Sequence, residues 1–285
     1  MGINIVIFDW LLKLQADGLI GHGETMLELG PQDIMVTPLH AMARLHPLSR
    51  PGLDISSVIA GGTISPSSQK TLYAALGVGQ YLSSDNMDER ADFLIDLNHP
   101  VQGNSRQFDL ITNFGTAEHV FNVAQVFVTI HQLLKDDGVV LHILPALGDV
   151  NHGFWNIHPT VYFDIARDNG YEILDFRYVD NMAIRALRMN EAEGLEDLSA
   201  RFDFDALPVR IDCSNRLVPF QVLNPHFKQI AGAQYIKNTA DPDFQPILRQ
   251  DPSRVFDYCF VAMRKLPSLG QSVFKFPTQS MYVRA

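Results

Sequence analysis

The chain has 285 residues, enough to bury a large core as one elaborated domain or two small ones. Its 46% hydrophobic and 19% charged content suits a soluble globular protein and argues against disorder. A formal net charge of -10, with no run of Lys and Arg, excludes broad binding to a phosphate backbone, so no nucleic-acid partner is expected.

Cys213 and Cys259 lack CxxC spacing and have no His nearby in sequence, which argues against a disulfide framework or a structural zinc site. The opening segment carries Asp9, Lys13 and Asp17 within its apolar run, and it lacks a basic region with a cleavage site. Neither a membrane span nor a signal peptide is expected, and Val6 stands where a myristoylation motif places Ser or Thr. Ile3, Ile7, Trp10, Leu11 and Leu14 fall at helical spacing, with the three charges pairing at i,i+4. Residues 1–23 therefore read as an amphipathic helical cover ended by Gly18, Gly21 and Gly23.

Thr25 to Leu29 reads as a buried strand, and prolines and glycines through 36–67 predict irregular chain with a short helix near Leu39 to Leu45. A helix capped at Ser67 or Ser68 runs to Ala75. Strands follow at Gln80 to Ser84, Asp92 to Ile95 and Phe108 to Asn113. A helix from about Asn122 to Leu134 leads through Asp136-Asp137-Gly138 into VVLHILPAL, whose unbroken apolar character suits a strand covered on both faces. A helix over Pro159 to Asp168, the strand YEILDFRYV and a last strand over Phe256 to Met263 complete the pattern. Alternating strands and helices predict an α/β fold on a parallel sheet. The whole of 1–285 reads as a single domain, with 181–255 an insertion or cap before the last strand.

Open α/β sheets bind ligands beyond the carboxyl ends of their strands. Four such ends are distinctive: Glu28-Leu29-Gly30, Asp85, Asp96-Leu97-Asn98, and the stretch from Asn113 to Val120. Asp85 can accept the hydroxyls of a ribose or serve as an ordinary capping aspartate, and Asp96 can accept from an exocyclic amine. With FDLITNFGTAEHV, LLKDDGVVLHILP, ELG and NHGFWNIHPTVYFDIARDNGYEI, the chain resembles the class I, Rossmann-like S-adenosylmethionine-dependent methyltransferases over about residues 24 to 180 and the final strand.

That resemblance implies a seven-stranded sheet of order 3-2-1-4-5-7-6 with an antiparallel last strand, and S-adenosyl-L-methionine as cofactor. It also implies roles for individual residues. Glu28 and Gly30 would border the methionine part, with Gln32 holding the loop further off or donating to the cofactor from its side chain. Asp85 would hold the ribose, and Asp96 and Leu97 would sit at the adenine. Asn113, Phe114 and Gly115 would lie along the methionine, with Glu118 and His119 behind. Two departures stand out: Gln32 replaces the second glycine of the family's motif, and 55 residues separate Gly30 from Asp85, against ~20 between comparable features in dinucleotide folds.

Methyl transfer needs donor and acceptor aligned in a dry pocket, and a hydroxyl acceptor is helped by a general base. His152 is the first candidate base and His158 a second, with Asn151 and Asn156 orienting the acceptor and Phe154 and Trp155 forming a wall. The same stretch also reads as a tight loop whose asparagines satisfy backbone groups. His152 and His158 are six apart and no HExxH occurs, so no metal is expected. The expected activity is cytoplasmic methyl transfer to the oxygen or nitrogen of a small molecule, by a protein free to act as monomer or homo-oligomer. The alternative is a non-catalytic or differently catalytic nucleoside-binding relative. A nicotinamide dehydrogenase is disfavoured because GPQDIM lacks the G-x-G-x-x-G pattern.

Overall fold

Apolar residues in neighbouring positions along each central strand divide between two faces. Leu27, Ile111, Val140 and Val261 enter one core, and the adjacent Met26, Leu110, Leu141 and Phe260 enter another. The period of two explains why these strands read as unbroken apolar runs, since both faces are covered.

The structure, a computed structural model, describes residues 2–36, 41, 45, 48, 55, 66–101, 106–148, 152–180, 256–267 and 273–279. They form β1 (Gly2–Ile3), α1 (Ile5–Ala16), β2 (Thr25–Leu29), β3 (Asp33–Ile34), α2 (Pro66–Ala75), β4 (Gln80–Asp85), β5 (Phe93–Leu94) and β6 (Phe108–Phe114). After a 3-10 turn at Ala117–His119 come α3 (Val123–Leu133), β7 (Leu134–Gly148), α4 (Thr160–Asn169), β8 (Tyr171–Asp180) and β9 (Phe256–Lys265). Of the helix expected near Leu39 to Leu45, Ala41 and Leu45 are described, both helical and buried, and the insertion at 181–255 lies outside the described residues.

The main sheet has seven strands in the order β5-β4-β2-β6-β7-β9-β8. All pairs are parallel except those that β9 makes with β7 and β8. This is the Rossmann-like order 3-2-1-4-5-7-6. The expected turn at Asp136 to Gly138 survives as an irregularity inside β7, where the register jumps from Phe108↔Leu134 to Leu110↔Val139 and Asp137 takes φ 61°.

The N-terminal helix is buried more widely than the stripe marked in the sequence. Asn4 caps α1 by accepting from the Val6 and Ile7 amides at 3.0 and 3.1 Å. Phe8, Trp10 and Leu11 are fully buried, so burial extends beyond one stripe. Lys13 and Asp17 form the expected i,i+4 pair at 3.3 Å on the outer side. Trp10 lies 5.2 Å from Phe260 and 6.4 Å from Phe114 between ring centres. Its indole N–H donates to Asp175 on β8 at 2.8 Å, and Arg177 Nε meets the same oxygen at 2.7 Å. The helix is thus locked across β6, β9 and β8. Just before it, β1 pairs with β3, which anchors the segment that follows Gly30.

Removing the indole leaves a large cavity in this core. Trp10→Ala is expected to lower stability by about 3–5 kcal/mol in urea unfolding. A loss below about 1 kcal/mol would show that α1 contributes little to the folded core.

Candidate functional site

The site follows from strand register. β2 lies between β4 and β6, with Leu29 opposite Ser84 on one side and Asn113 on the other. The three chains leaving these strands therefore emerge at one level of the same edge. Gly30 N–H donates to the Ser84 carbonyl at 2.7 Å, and Thr116 Oγ1 donates to the Leu29 carbonyl at 2.6 Å. Gly30 has φ +76°, and a Cβ there would meet Thr116 Oγ1 at 2.9 Å. Only glycine allows this turn without strain.

Above the turn lies an open groove of about 470 Å³, within the range of small-molecule sites. Gly30, Gln32, Asp85, Asp96, Leu97, Gly115 and His119 line it, so seven of the expected cofactor residues converge there. Asp85 Oδ1 accepts from the Met87 and Asp88 amides at 2.8 and 2.9 Å, which makes it a turn-capping residue as well. Its Oδ2 lies 3.7 Å from the position of a Cβ on Gly30, so that oxygen sits beside the glycine turn. Asp96 Oδ1 accepts from the backbone and side-chain nitrogens of Asn98 at 2.9 and 3.0 Å, which hold its carboxyl below the usual range. Two carboxylates along one groove suit a ligand rich in hydroxyl and amine donors.

Four expected cofactor residues do not line it: Glu28, Asn113 and Phe114, and Glu118, which meets two histidines. Glu28 is fully buried beneath the glycine turn. Its carboxylate accepts from Tyr73 OH at 3.0 Å, Tyr81 OH at 2.5 Å and Gln32 N–H at 3.0 Å. Burial pushes its pKa up to about 7, against the opposing effect of the Tyr81, Gln32 and Tyr73 hydrogen bonds. Glu28 therefore supports the loop from below. Asn113 is buried too, with Nδ2 3.1 Å from His142 Nδ1 and Oδ1 accepting from Ala117 N–H at 3.2 Å. Phe114 packs fully buried against Trp10. Both residues shape the turn after β6 from inside the core.

Where the resemblance wants a second glycine, Gln32 folds back and donates from Nε2 to the Gly30 carbonyl at 2.9 Å. Gln69 Nε2 donates to the Gln32 carbonyl, tying α2 to the loop. The side chain thus braces the turn from within.

Residues 153–155 pack directly on the 3-10 turn. Phe154 and Trp155 amides donate to the Glu118 carbonyl at 2.8 and 3.3 Å. A Cβ on Gly153 would meet that carbonyl oxygen at 2.9 Å, so the close approach requires glycine. Trp155 Nε1 donates to the Val120 and Phe121 carbonyls, each at 3.1 Å. Asn156 Nδ2 instead closes the loop onto the Gly148 carbonyl at 3.0 Å. His158 Nδ1 lies 3.0 Å from Thr160 Oγ1 at the start of α4. These two perform the backbone-satisfying work of a tight loop, away from the histidine cluster. Asn151 lies outside the described residues.

Glu118, His119 and His152 come together. Glu118 Oε1 is 3.6 Å from His152 Nε2 and 4.0 Å from His119 Nε2, and the two imidazole centres are 4.7 Å apart. Glu118 is fully buried, while both histidines reach solvent. Beside them Phe121 and Phe154, 69% and 64% exposed, meet edge to face at 5.7 Å, with Trp155 6.2 Å from Phe121. Large exposed aromatics clustered at a groove mark a contact surface.

Sequence reasoning missed several contributors. Thr116 and Phe121 lie in or beside the quoted FGTAEHV string and were legible as candidates. Met87 and Arg90 also line the groove, and Arg90 bridges Asp33 at 3.0 Å and Asp88 at 2.5 Å. Nothing in their spacing marks them, nor Tyr73 and Tyr81 as partners of Glu28.

No model of a known protein family matches the chain, and no curated protein matches it. Similar solved structures include a 1,6-didemethyltoxoflavin-N1-methyltransferase from Burkholderia thailandensis with bound 1,6-didemethyltoxoflavin and S-adenosylhomocysteine (10% identity, TM-score 0.42, 91% of this chain and 78% of that one). An O-methyltransferase from a trans-AT PKS multienzyme of Brevibacillus brevis, in complex with S-adenosyl-L-homocysteine, shares 14% identity at TM-score 0.37 over 91% and 72% of the two chains. The [4+2]-cyclase SpnF shares 13% identity at TM-score 0.43 over 91% and 81%.

Glu28 also makes stability depend on pH. Its pKa of about 7 in the folded chain exceeds the ordinary 4.5, so the folded state holds the proton more tightly. Its contribution is therefore complete below pH 4.5 and is lost as pH rises through 7. Glu28→Gln is expected to flatten the decline of urea-unfolding stability between those values, and parallel profiles for the two proteins would refute the assignment.

Proposed function

We propose that the chain transfers a methyl group from S-adenosyl-L-methionine to a small-molecule acceptor. The observation that carries this is the convergence of the Gly30 turn, Asp85, Asp96 and Gly115 on one groove at the carboxyl edge of a sheet with order 3-2-1-4-5-7-6. Asp85 accepts from the ribose hydroxyls, Asp96 and Leu97 border the adenine, and Gly30 and Gly115 leave room for the methionine part beside Gln32. His119 stands at the same groove, toward the loop formed by residues 152–156.

The acceptor binds on the aromatic surface of Phe121, Phe154 and Trp155. Transfer is an in-line displacement: the acceptor's lone pair forms the new bond to the methyl carbon, and the carbon–sulfur bond breaks to leave a neutral thioether. For a hydroxyl acceptor, His152 takes the proton, and Glu118, 3.6 Å from its Nε2, stabilises the imidazolium. A nitrogen acceptor needs only alignment and a dry pocket. Among the described residues no helix is long and apolar enough to cross a membrane, and we place the reaction in the cytoplasm on a free small molecule.

Calorimetry with S-adenosylhomocysteine tests the cofactor. Binding to the wild type is expected, weakened about tenfold or more in Asp85→Ala and in Asp96→Ala through loss of a charge-assisted hydrogen bond. Equal affinity across all three proteins would displace the ligand from this groove. His152→Ala is expected to keep that affinity and to lower transfer to a hydroxyl acceptor by about 10²–10⁴-fold. Tight cofactor binding with no transfer to any acceptor would favour the non-catalytic alternative.

A further inference from the structure

The histidine cluster carries more than a proton relay. Glu118 is fully buried, yet neither of its carboxylate oxygens has a hydrogen-bond partner among the described residues. A buried carboxylate in that condition is costly, and such groups are paired or coordinate metals. Among the described residues the cationic partners near it are imidazoles at 3.6 and 4.0 Å, beyond hydrogen-bond range. Both imidazoles are nearest through Nε2, and the three ligand atoms lie within 4.8 Å of one another.

We propose that Glu118, His119 and His152 bind a divalent transition-metal ion, of the class that accepts imidazole ligands, at the acceptor end of the groove. Bonds of about 2.1 Å at tetrahedral angles place neighbouring donors ~3.4 Å apart. The His152 pair is already near that spacing, and a small imidazole rotation closes the His119 pair. Two imidazoles and one carboxylate suit zinc, manganese, cobalt or iron better than magnesium or calcium, which prefer oxygen ligands. The ion also neutralises the buried charge. With His119 and His152 partly exposed, an ion can enter from solvent, and coordination positions remain on the open side for an oxygen of the acceptor. The sequence argues against a metal because His152 and His158 are badly spaced and no HExxH occurs; the site joins a turn after β6 to a loop after β7.

The ion deepens the proposed methyl transfer and rests on it for its role: it binds the acceptor's hydroxyl and lowers its pKa, the proton leaves to solvent water on the open side, and His152 then acts as a ligand, replacing its role as base in the metal-free reading. The acceptor class is then a hydroxyl compound, favourably one with a second oxygen to chelate.

The test uses untagged, full-length protein stripped with a chelator. Titration with Co²⁺ followed by visible absorption, and with Zn²⁺ by calorimetry, is expected to give one site per chain. Affinity is expected to fall at least tenfold in His119→Ala and in His152→Ala, whose side chains are partly exposed, and to remain unchanged in His158→Ala. No single-site binding by the wild type, or equal affinity in all four proteins, would overturn the metal site. Urea-unfolding midpoints of the stripped proteins serve as the check on folding. S-adenosylhomocysteine binding by the stripped wild type separates the two proposals: cofactor binding without metal binding removes only the ion, and metal binding without cofactor binding removes only the methyltransferase function.

Discussion

The central position of β2 between β4 and β6 is the constraint from which the site follows. Parallel pairing of Leu29 with both Ser84 and Asn113 brings three chain exits to one edge of the sheet. Gly30, Asp85 and Gly115 then share a groove although 55 residues separate the first two and 30 the last two. No side chain has to recruit another across that distance; the backbone ladder does it. The same edge places the Ala117–His119 turn next to the loop after β7, and so brings Glu118 to His152.

A second layer of buried polar contacts holds this edge from beneath. Glu28, Tyr73, Tyr81 and Gln32 form one connected group under the glycine turn, and Asn113 with His142 forms another under the turn after β6. Burial drives the His142 pKa down to about 3, so its imidazole stays neutral. Such networks specify geometry when their members are satisfied. Glu118 differs from them: it is equally buried, but its carboxylate oxygens have no hydrogen bond among the described residues, and it opens onto two imidazoles at the groove. Both oxygens of one buried carboxylate beside two imidazoles are the observation on which the proposed metal site rests.

The unusual GPQ turn loses much of its oddity in three dimensions. A glycine at position 32 would expose the loop's carbonyl and let a ligand come closer. Gln32 fills that place, braces Gly30 and links to both Glu28 and Gln69. The long excursion between Gly30 and Asp85 is consistent with this, because β3 is pinned to the N-terminus by β1 and to the 85–90 turn through Asp33 and Arg90.

The order and type of the main elements were legible in the amino-acid sequence, because a strand covered on both faces is apolar throughout and a helix is apolar at every third or fourth position. Gly30, Asp85, Asp96 and Gly115 were legible for a related reason: ligands meet parallel sheets where strands end, and strand ends show in the pattern. Local sequence does not reveal which side of the backbone a residue faces once the chain turns. Glu28, Asn113 and Phe114 sit in the same short strings as the groove residues, yet they point into the core, and His158 and Asn156 serve their own loop while His152 meets Glu118. Those distinctions arise from strand register and from the packing of one turn on another, contacts between residues far apart in the chain that only the tertiary structure decides.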